Sequence, residues 1–233
     1  MVYLIPSLLH EDGCLAIPAY VMDAISECQV FFVENERTTR RYFKQLWRTQ
    51  RTGSTINIDD YEWVLIDDKA GSVFRQKIKE GKIIGIVSEA GCPGVADPGQ
   101  ALVTIAQEMN IPVRPLVGPS SILLALMASG MNGQQFCFAG YLPIDHGERA
   151  RAIQEQESLS ARNQSTRIFI ETPYRNNQLM EALVKNCQEK TRICVAVDIT
   201  GPSESIRTLT VSQWKSQLPE LHKKPAIFLL QAG

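Results

Sequence analysis

Residues 83–99 read Ile83-Ile84-Gly85-Ile86-Val87-Ser88-Glu89-Ala90-Gly91-Cys92-Pro93-Gly94-Val95-Ala96-Asp97-Pro98-Gly99. An apolar run of strand type empties into a loop holding three Gly, two Pro and two carboxylates. The amphipathic pattern Ala101-Leu102-Val103-Thr104-Ile105-Ala106 begins directly after it. Reversing the chain between a strand and a helix takes only a few residues. A connection this long, acidic and stiff predicts a ligand loop at the carboxyl end of a parallel strand.

The same design follows at once. Ile111-Pro112-Val113-Arg114-Pro115-Leu116-Val117 is a short extended segment, and its prolines predict an edge or strand-start position. Gly118-Pro119-Ser120-Ser121 leads into the apolar run Ile122 to Ala128. Ser120 or Ser121 is a candidate N-cap, and Gly130 a helix stop. Twice within fifty residues the chain goes from strand through a Gly/Pro loop to a helix, the pattern of a parallel sheet covered on both faces. Ligands of such sheets sit outside the carboxyl ends of the strands, where the winding order reverses.

Neither phosphate-cradling glycine fingerprint occurs in the chain. Proline-rich loops have few amides for an anion, and Glu89 and Asp97 repel one. A cationic ligand with an apolar body, such as S-adenosylmethionine, fits better; an ordinary α/β connection is the competing reading.

Of the 233 residues 44% are hydrophobic and 21% charged, and the net charge is −1, which argues against a generally basic nucleic-acid binder. No run of about 18 apolar residues is present to span a membrane, and Met1-Val2-Tyr3-Leu4-Ile5-Pro6 reads as a strand rather than a signal peptide. The six cysteines lack metal-type spacing and read as reduced thiols of a cytoplasmic protein. The charge is unevenly spread. From Arg37 to Arg51 the basic residues are Arg37, Arg40, Arg41, Lys44, Arg48 and Arg51, against Glu36 alone. That spacing lines one face of a helix whose inner face is Phe43, Leu46 and Trp47. Such a stripe serves either as an RNA footprint or as a solvated surface.

Further strands are expected at Tyr3 to Pro6, Val30 to Val33 and Thr55 to Ile58, with the strand at Ile83 partnered by the one at Ile111. Helices are expected over Pro18 to Ser26 and Ala70 to Lys79. Beyond residue 130 come strands at Phe136 to Gly140, 167–171, 192–197, 205–211 and 226–230, with a polar helix over Glu148 to Ser160. The expected architecture is two α/β domains, a mainly parallel one over 1–116 and a mixed-sheet one over 117–233, with a ligand cleft between them.

Several blocks together resemble the tetrapyrrole-methylase-like superfamily of S-adenosylmethionine-dependent methyltransferases. Within it they resemble most the branch that methylates a cytidine ribose of bacterial small-subunit ribosomal RNA. The blocks are residues 34–40, 87–99, Val117-Gly118-Pro119-Ser120-Ser121, Ser129-Gly130, Phe138-Ala139-Gly140-Tyr141-Leu142-Pro143 and Phe169-Ile170-Glu171-Thr172-Pro173-Tyr174-Arg175. The resemblance implies a folded S-adenosylmethionine in the cleft. Gly91, Cys92, Pro93 and Val95 match the first cofactor loop, Ser120, Ser121 and Ile122 the second, and Ile170 and Glu171 a strand closing over it. It also implies a homodimer. Two stretches depart from the family pattern, Ser7 to Gly13 and Ile199 to Glu204.

A ribose hydroxyl attacking a sulfonium methyl must lose its proton, so a carboxylate near the cleft is a candidate base: Glu34, Asp97 or Glu171. Arg37, Arg40, Arg41 and Arg175 are candidate phosphate contacts on ribosomal RNA. Cys92 lacks a paired base and is read as packing. Methylation of a tetrapyrrole or other small molecule, and non-catalytic binding of S-adenosylmethionine, are the alternatives.

Overall fold

The computed structural model describes residues 1–50 and 57–233. The chain divides into two compact units, Met1–Ser120 and Ser121–Gly233. The boundary thus falls four residues later than the expected 116/117. Residues 117–120 stay with the first unit through local contacts: the Val117 N–H donates to the Tyr20 hydroxyl at 2.6 Å, and Gly118 lies so close to Pro6 that a Cβ there would come within 2.1 Å of the Pro6 Cβ.

In the first unit the strands are β1 (Val2–Ile5), β2 (Val30–Val33), β3 (Glu62–Leu65), β4 (Ile84–Val87) and β5 (Val113–Pro115). They form a sheet in the order β3-β2-β4-β1-β5, and every pairing is parallel. β2 and β4 are buried along their whole length, which is why they read as unbroken apolar runs rather than alternating ones. β5 is an edge strand, as its prolines require. Two expectations need correction. β5 is the neighbour of β1, not of β4, because β1 occupies the space between them. The third strand that the described residues show is β3, which follows the segment expected at 55–58. Residues 55 and 56 lie outside the described residues, as does Arg51, and Ile58 opens a 3₁₀ turn that precedes β3.

Helices α1 (Val21–Glu27) and α2 (Glu36–Gln50) pack on one face with Tyr3, Ile5, Phe31 and Val33; α3 (Ala70–Lys79) and α4 (Gly99–Glu108) cover the other with Val2, Phe32, Ile84 and Ile86. Phe31 fixes α2 through an edge-to-face contact with Phe43 at 5.0 Å. The ring demands a glycine beside it: a Cβ on Gly85 would lie 2.5 Å from the Phe31 ring. Tyr42, Phe43 and Leu46 are buried and Trp47 half-buried, so the basic stripe of α2 faces outward.

The second unit opens with α5 (Ser121–Ser129), which ends at Gly130 with φ +66°. Its sheet contains β6 (Phe136–Tyr141), β7 (Thr166–Ile170), β8 (Arg192–Val197), β9 (Ser205–Thr210) and β10 (Ala226–Gln231). The order is β6-β7-β10-β8-β9, parallel only between β6 and β7. The long helix α6 (His146–Asn163) starts at Asp145, whose carboxylate accepts the N–H groups of Gly147 and Glu148. Two helices were not expected from sequence, α7 (Asn176–Asn186) and the short α8 (Val211–Trp214).

Candidate functional site

The crossover from β1 to β2 carries α1 over one face of the first sheet, and the crossover from β4 to β5 carries α4 over the other. β1 and β4 are neighbours whose chains leave in opposite directions. The winding reverses between them, and the loops after β1 and β4 flank a ready-made crevice.

Those loops are bonded to each other. Ser7 N–H donates to Gly91 O at 2.8 Å and Gly91 N–H to Ser7 O at 3.2 Å, while the Ser7 hydroxyl donates to Ser88 O. Gly91 sits at φ +72°, which glycine adopts without steric cost. Asp97 organises the loop from inside. Its two carboxylate oxygens accept the N–H groups of Gly94 and Gly99 at 2.9 and 2.7 Å. The Val95 N–H donates to Cys92 O. The amides of Gly94, Val95 and Gly99 are thus bonded within the loop and those of Glu89 and Gly91 to Glu34 and Ser7, which leaves fewer for an anion, while buried Pro93 suits the apolar body of a ligand.

The loop has two sides. Toward β5, the Cys92 thiol lies 3.6 Å from Pro119 O, and Gly91 stands between the two sides, where a Cβ would lie 3.4 Å from that carbonyl and 3.3 Å from Leu9 Cδ2. Burial pushes the Cys92 thiol upward, which is the setting of a packing group rather than a nucleophile. Val95 is exposed and Ser120 half-buried. Toward α2, Ser88, Glu89 and Ala90 line a pocket of about 210 Å³ together with Leu8, Thr38 and Gln45.

Glu34, at the end of β2, accepts the Glu89 N–H at 2.9 Å. Desolvation raises its carboxyl, the negative charges of Asp97 and Glu89 add to the rise, and the Glu89 N–H opposes it. Burial likewise raises Asp97, against the two glycine N–H groups. The candidate bases therefore differ. Protonating Asp97 would compete with the bonds that shape its own loop, whereas Glu34 makes one such bond.

The exposed face of α2 borders an open groove of about 620 Å³ lined by Arg37, Arg40, Arg41, Lys44 and Arg48, with Glu36 and Gln45. Arg40 stands apart. It pairs with Glu36 and Asp59 and lies over the Trp63 ring at 5.6 Å. Among the described residues the other four cations have no carboxylate partner. Groove and pocket share Arg41 and Gln45, so they adjoin.

In the second unit Ser121 and Ile122 open α5, both half-buried, and Ile170 ends β7. Glu171 is buried and accepts from Arg175 Nε at 3.0 Å and Nη2 at 2.7 Å. The two residues expected in separate roles therefore hold each other. Sequence reading missed the pocket side of the loop, Glu89 and Ala90, with Thr38 and Gln45. A signal was present: Thr38, Arg41 and Gln45 recur at helical spacing along one face.

Two α/β units, one with a parallel sheet and a bonded loop pair at its winding reversal, define a fold class that binds small ligands at strand ends. The family model of the tetrapyrrole (corrin/porphyrin) methylases matches residues 16–214. The chain belongs to that family. It is 34% identical over 143 residues to the ribosomal RNA small subunit methyltransferase I of Mesorhizobium japonicum, covering 61% of this chain and 47% of that protein. To the protein of the same name from Vibrio cholerae it is 26% identical over 235 residues, covering 100% of this chain and 77% of the relative. The first of these matches spans less than half of the relative's length. The uroporphyrin-III C-methyltransferase of Thermus thermophilus, solved in complex with S-adenosylhomocysteine, shares the fold at TM-score 0.54 and 15% identity, over 99% of this chain and 96% of that one.

Proposed function

We propose that the protein is an S-adenosylmethionine-dependent methyltransferase whose acceptor is a ribose 2'-hydroxyl of small-subunit ribosomal RNA. One observation carries the choice of acceptor: a row of cations on α2 adjoins a small pocket at the winding reversal, with Arg41 and Gln45 lining both. Cations alone would suit the carboxylates of a tetrapyrrole as well as phosphates, but a pocket of about 210 Å³ is too small for the macrocycle. An RNA strand has phosphates for the first and a sugar for the second.

The cofactor supplies a methyl group on an already good sulfonium leaving group. Gly91, Cys92, Pro93 and Val95 would hold it on one side, with Ser120, Ser121, Ile122, Ile170 and Glu171 as further contacts. A loop whose amides at Gly94, Val95 and Gly99 are already bonded within it fits a cation better than an anion. The protein's own contribution is positioning, worth up to roughly 7–11 kcal/mol when reacting atoms are held in contact. Glu34 is the proposed proton acceptor, worth about 100- to 10,000-fold. Arg37, Arg41, Lys44 and Arg48 hold the phosphates. Arg40 braces α2, and Arg175 fixes Glu171.

A second copy of the chain is part of the proposal. α5 is apolar almost all round and leaves Leu123 and Met127, one turn apart, 48% and 78% exposed, a face suited to burial in a homodimer. No helix among the described residues is long and apolar enough to cross a membrane, and work on ribosomal subunits would put the protein in the cytoplasm.

The test offers methyl-labelled S-adenosylmethionine with either unmodified small subunits or a tetrapyrrole precursor as acceptor. Label in the ribosomal RNA supports the proposal; label in the tetrapyrrole alone, or in neither, rejects it.

A further inference from the structure

The pocket beside the β4 loop has walls from three elements, each braced by a side chain. The loop after β1 is tied to α2 where Gln45 Nε2 donates to Glu11 O at 2.5 Å. The Tyr42 hydroxyl donates to Pro6 O at 2.7 Å. The β4 loop is tied to the same helix where the Thr38 hydroxyl donates to Glu89 Oε1 at 2.6 Å. These bonds make the pocket a preformed feature rather than a gap between mobile loops. Leu8, Leu9 and Ala90 give it apolar surface, and Thr38, Gln45 and Glu89 give it polar groups, the usual composition of a site that orients a small organic group.

Its size is restrictive. At about 210 Å³ it falls below the roughly 300–1,000 Å³ typical of sites for drug-sized ligands. A single nucleoside is of the right order; a tetrapyrrole macrocycle or a base pair is too large. The pocket lies on the α2 side of the β4 loop, and Gly91 borders it: a Cβ there would lie 3.3 Å from Leu9 Cδ2 of the pocket wall and 3.4 Å from Pro119 O, so a ligand held at Gly91 adjoins whatever the pocket receives.

We infer that this pocket receives one unpaired nucleotide of an RNA strand, turned out of its stack, while the flanking phosphates follow the groove of α2. The inference rests on the proposed RNA acceptor and deepens it by specifying the substrate form. Stacked inside a duplex, the nucleotide could not enter a recess walled on three sides. A loop or single strand can splay its base outward. Glu89, held by Thr38, supplies an acceptor for a nucleotide hydroxyl or amino group. Leu8, Leu9 and Ala90 supply the apolar surface on which the base rests. Arg41 stands where groove and pocket meet, placed for the phosphate next to the extruded nucleotide.

The test uses the full chain and a short single-stranded oligoribonucleotide with one fluorescent cytidine analogue that brightens when unstacked. Anisotropy reports strand binding, and brightness reports extrusion. Ala90→Phe fills the pocket from an exposed loop position, and Thr38→Phe fills it from α2, with thermal melting to verify folding of each. The wild-type protein is expected to brighten the single strand but not the matching duplex. Each plugged variant is expected to lose the brightening while still binding the strand with the wild-type salt dependence. Brightening that survives both plugs, or an equal response from the duplex, overturns the pocket assignment and leaves the α2 footprint standing. A strand that does not bind the wild-type protein even at low salt overturns both.

Discussion

Neutralising the cations of α2 one at a time should separate them into two classes. Arg37, Arg41, Lys44 and Arg48 line the groove without carboxylate partners among the described residues, whereas Arg40 is held by Glu36 and Asp59 over Trp63. Each phosphate neutralised on a single strand contributes a slope of about −0.7 to log K against log salt. Four contacts give a slope near −2.8, so affinity for single-stranded RNA should fall roughly 50-fold between about 50 and 200 mM salt. Changing any one of the four to Gln should flatten the slope by about 0.7, removing roughly 2.6-fold of that salt effect. Arg40→Gln should leave the slope alone and instead lower the melting temperature, because it removes an ion pair and a ring contact that hold α2 to β3. Fluorescence anisotropy titrations at three salt concentrations measure all of this. A flat slope in the wild-type protein, or an Arg40→Gln variant indistinguishable from Arg41→Gln, would refute the reasoning.

Other outcomes follow from the same geometry. Gly118→Ala drives a methyl group into Pro6; overpacking of this kind costs about 1–3 kcal/mol, readable by urea denaturation, and should weaken S-adenosylmethionine binding by displacing Ser120. The raised carboxyl of Glu34 puts the acid limb of the pH–rate profile above the ordinary carboxylate value of about 4.3. Activity should be lost as pH falls through that limb, and Glu34→Gln should abolish the limb along with about 100- to 10,000-fold of the rate. Since ionised Glu34 is disfavoured in the folded state, its contribution to stability is present at low pH and lost as pH rises through its raised value. Glu34→Gln should remove that part of the pH dependence of melting. Met127→Glu places a charge on the exposed apolar face of α5 and should shift the protein toward monomer in sedimentation, without altering the far-ultraviolet spectrum.

The parallel half of the fold was legible because buried central strands leave unbroken apolar runs, as at Val30–Val33 and Ile84–Val87. β3 was harder to read. It lies at the sheet edge with Glu62 and Leu65 exposed and gives no such run. The neighbour of β5 was misassigned because β1 inserts from far away in sequence, and local patterns carry no record of that. α7 was missed although Leu179, Met180, Leu183, Val184 and Cys187 repeat at helical spacing; its polar start at Asn176–Asn177 masks the beginning. At the candidate site, Gly91 and Pro93 mark a stiff loop in the sequence alone, and Gly91 takes the positive φ of +72° there. The pairing of Glu171 with Arg175, and of Arg40 with Glu36 and Asp59, is set by side-chain partners that appear only in three dimensions.

In this reading the paired loop tips of the first unit hold a cationic methyl carrier at Gly91, directly beside the recess that takes the nucleotide. A crystal grown with S-adenosylhomocysteine examines it without any activity assay. The account predicts density for that molecule along residues 91–95 and 120–122, with the recess beside Glu89 and Ala90 left open for the acceptor. Density filling that recess, or lying away from both loops while they stand ordered and empty, would contradict it.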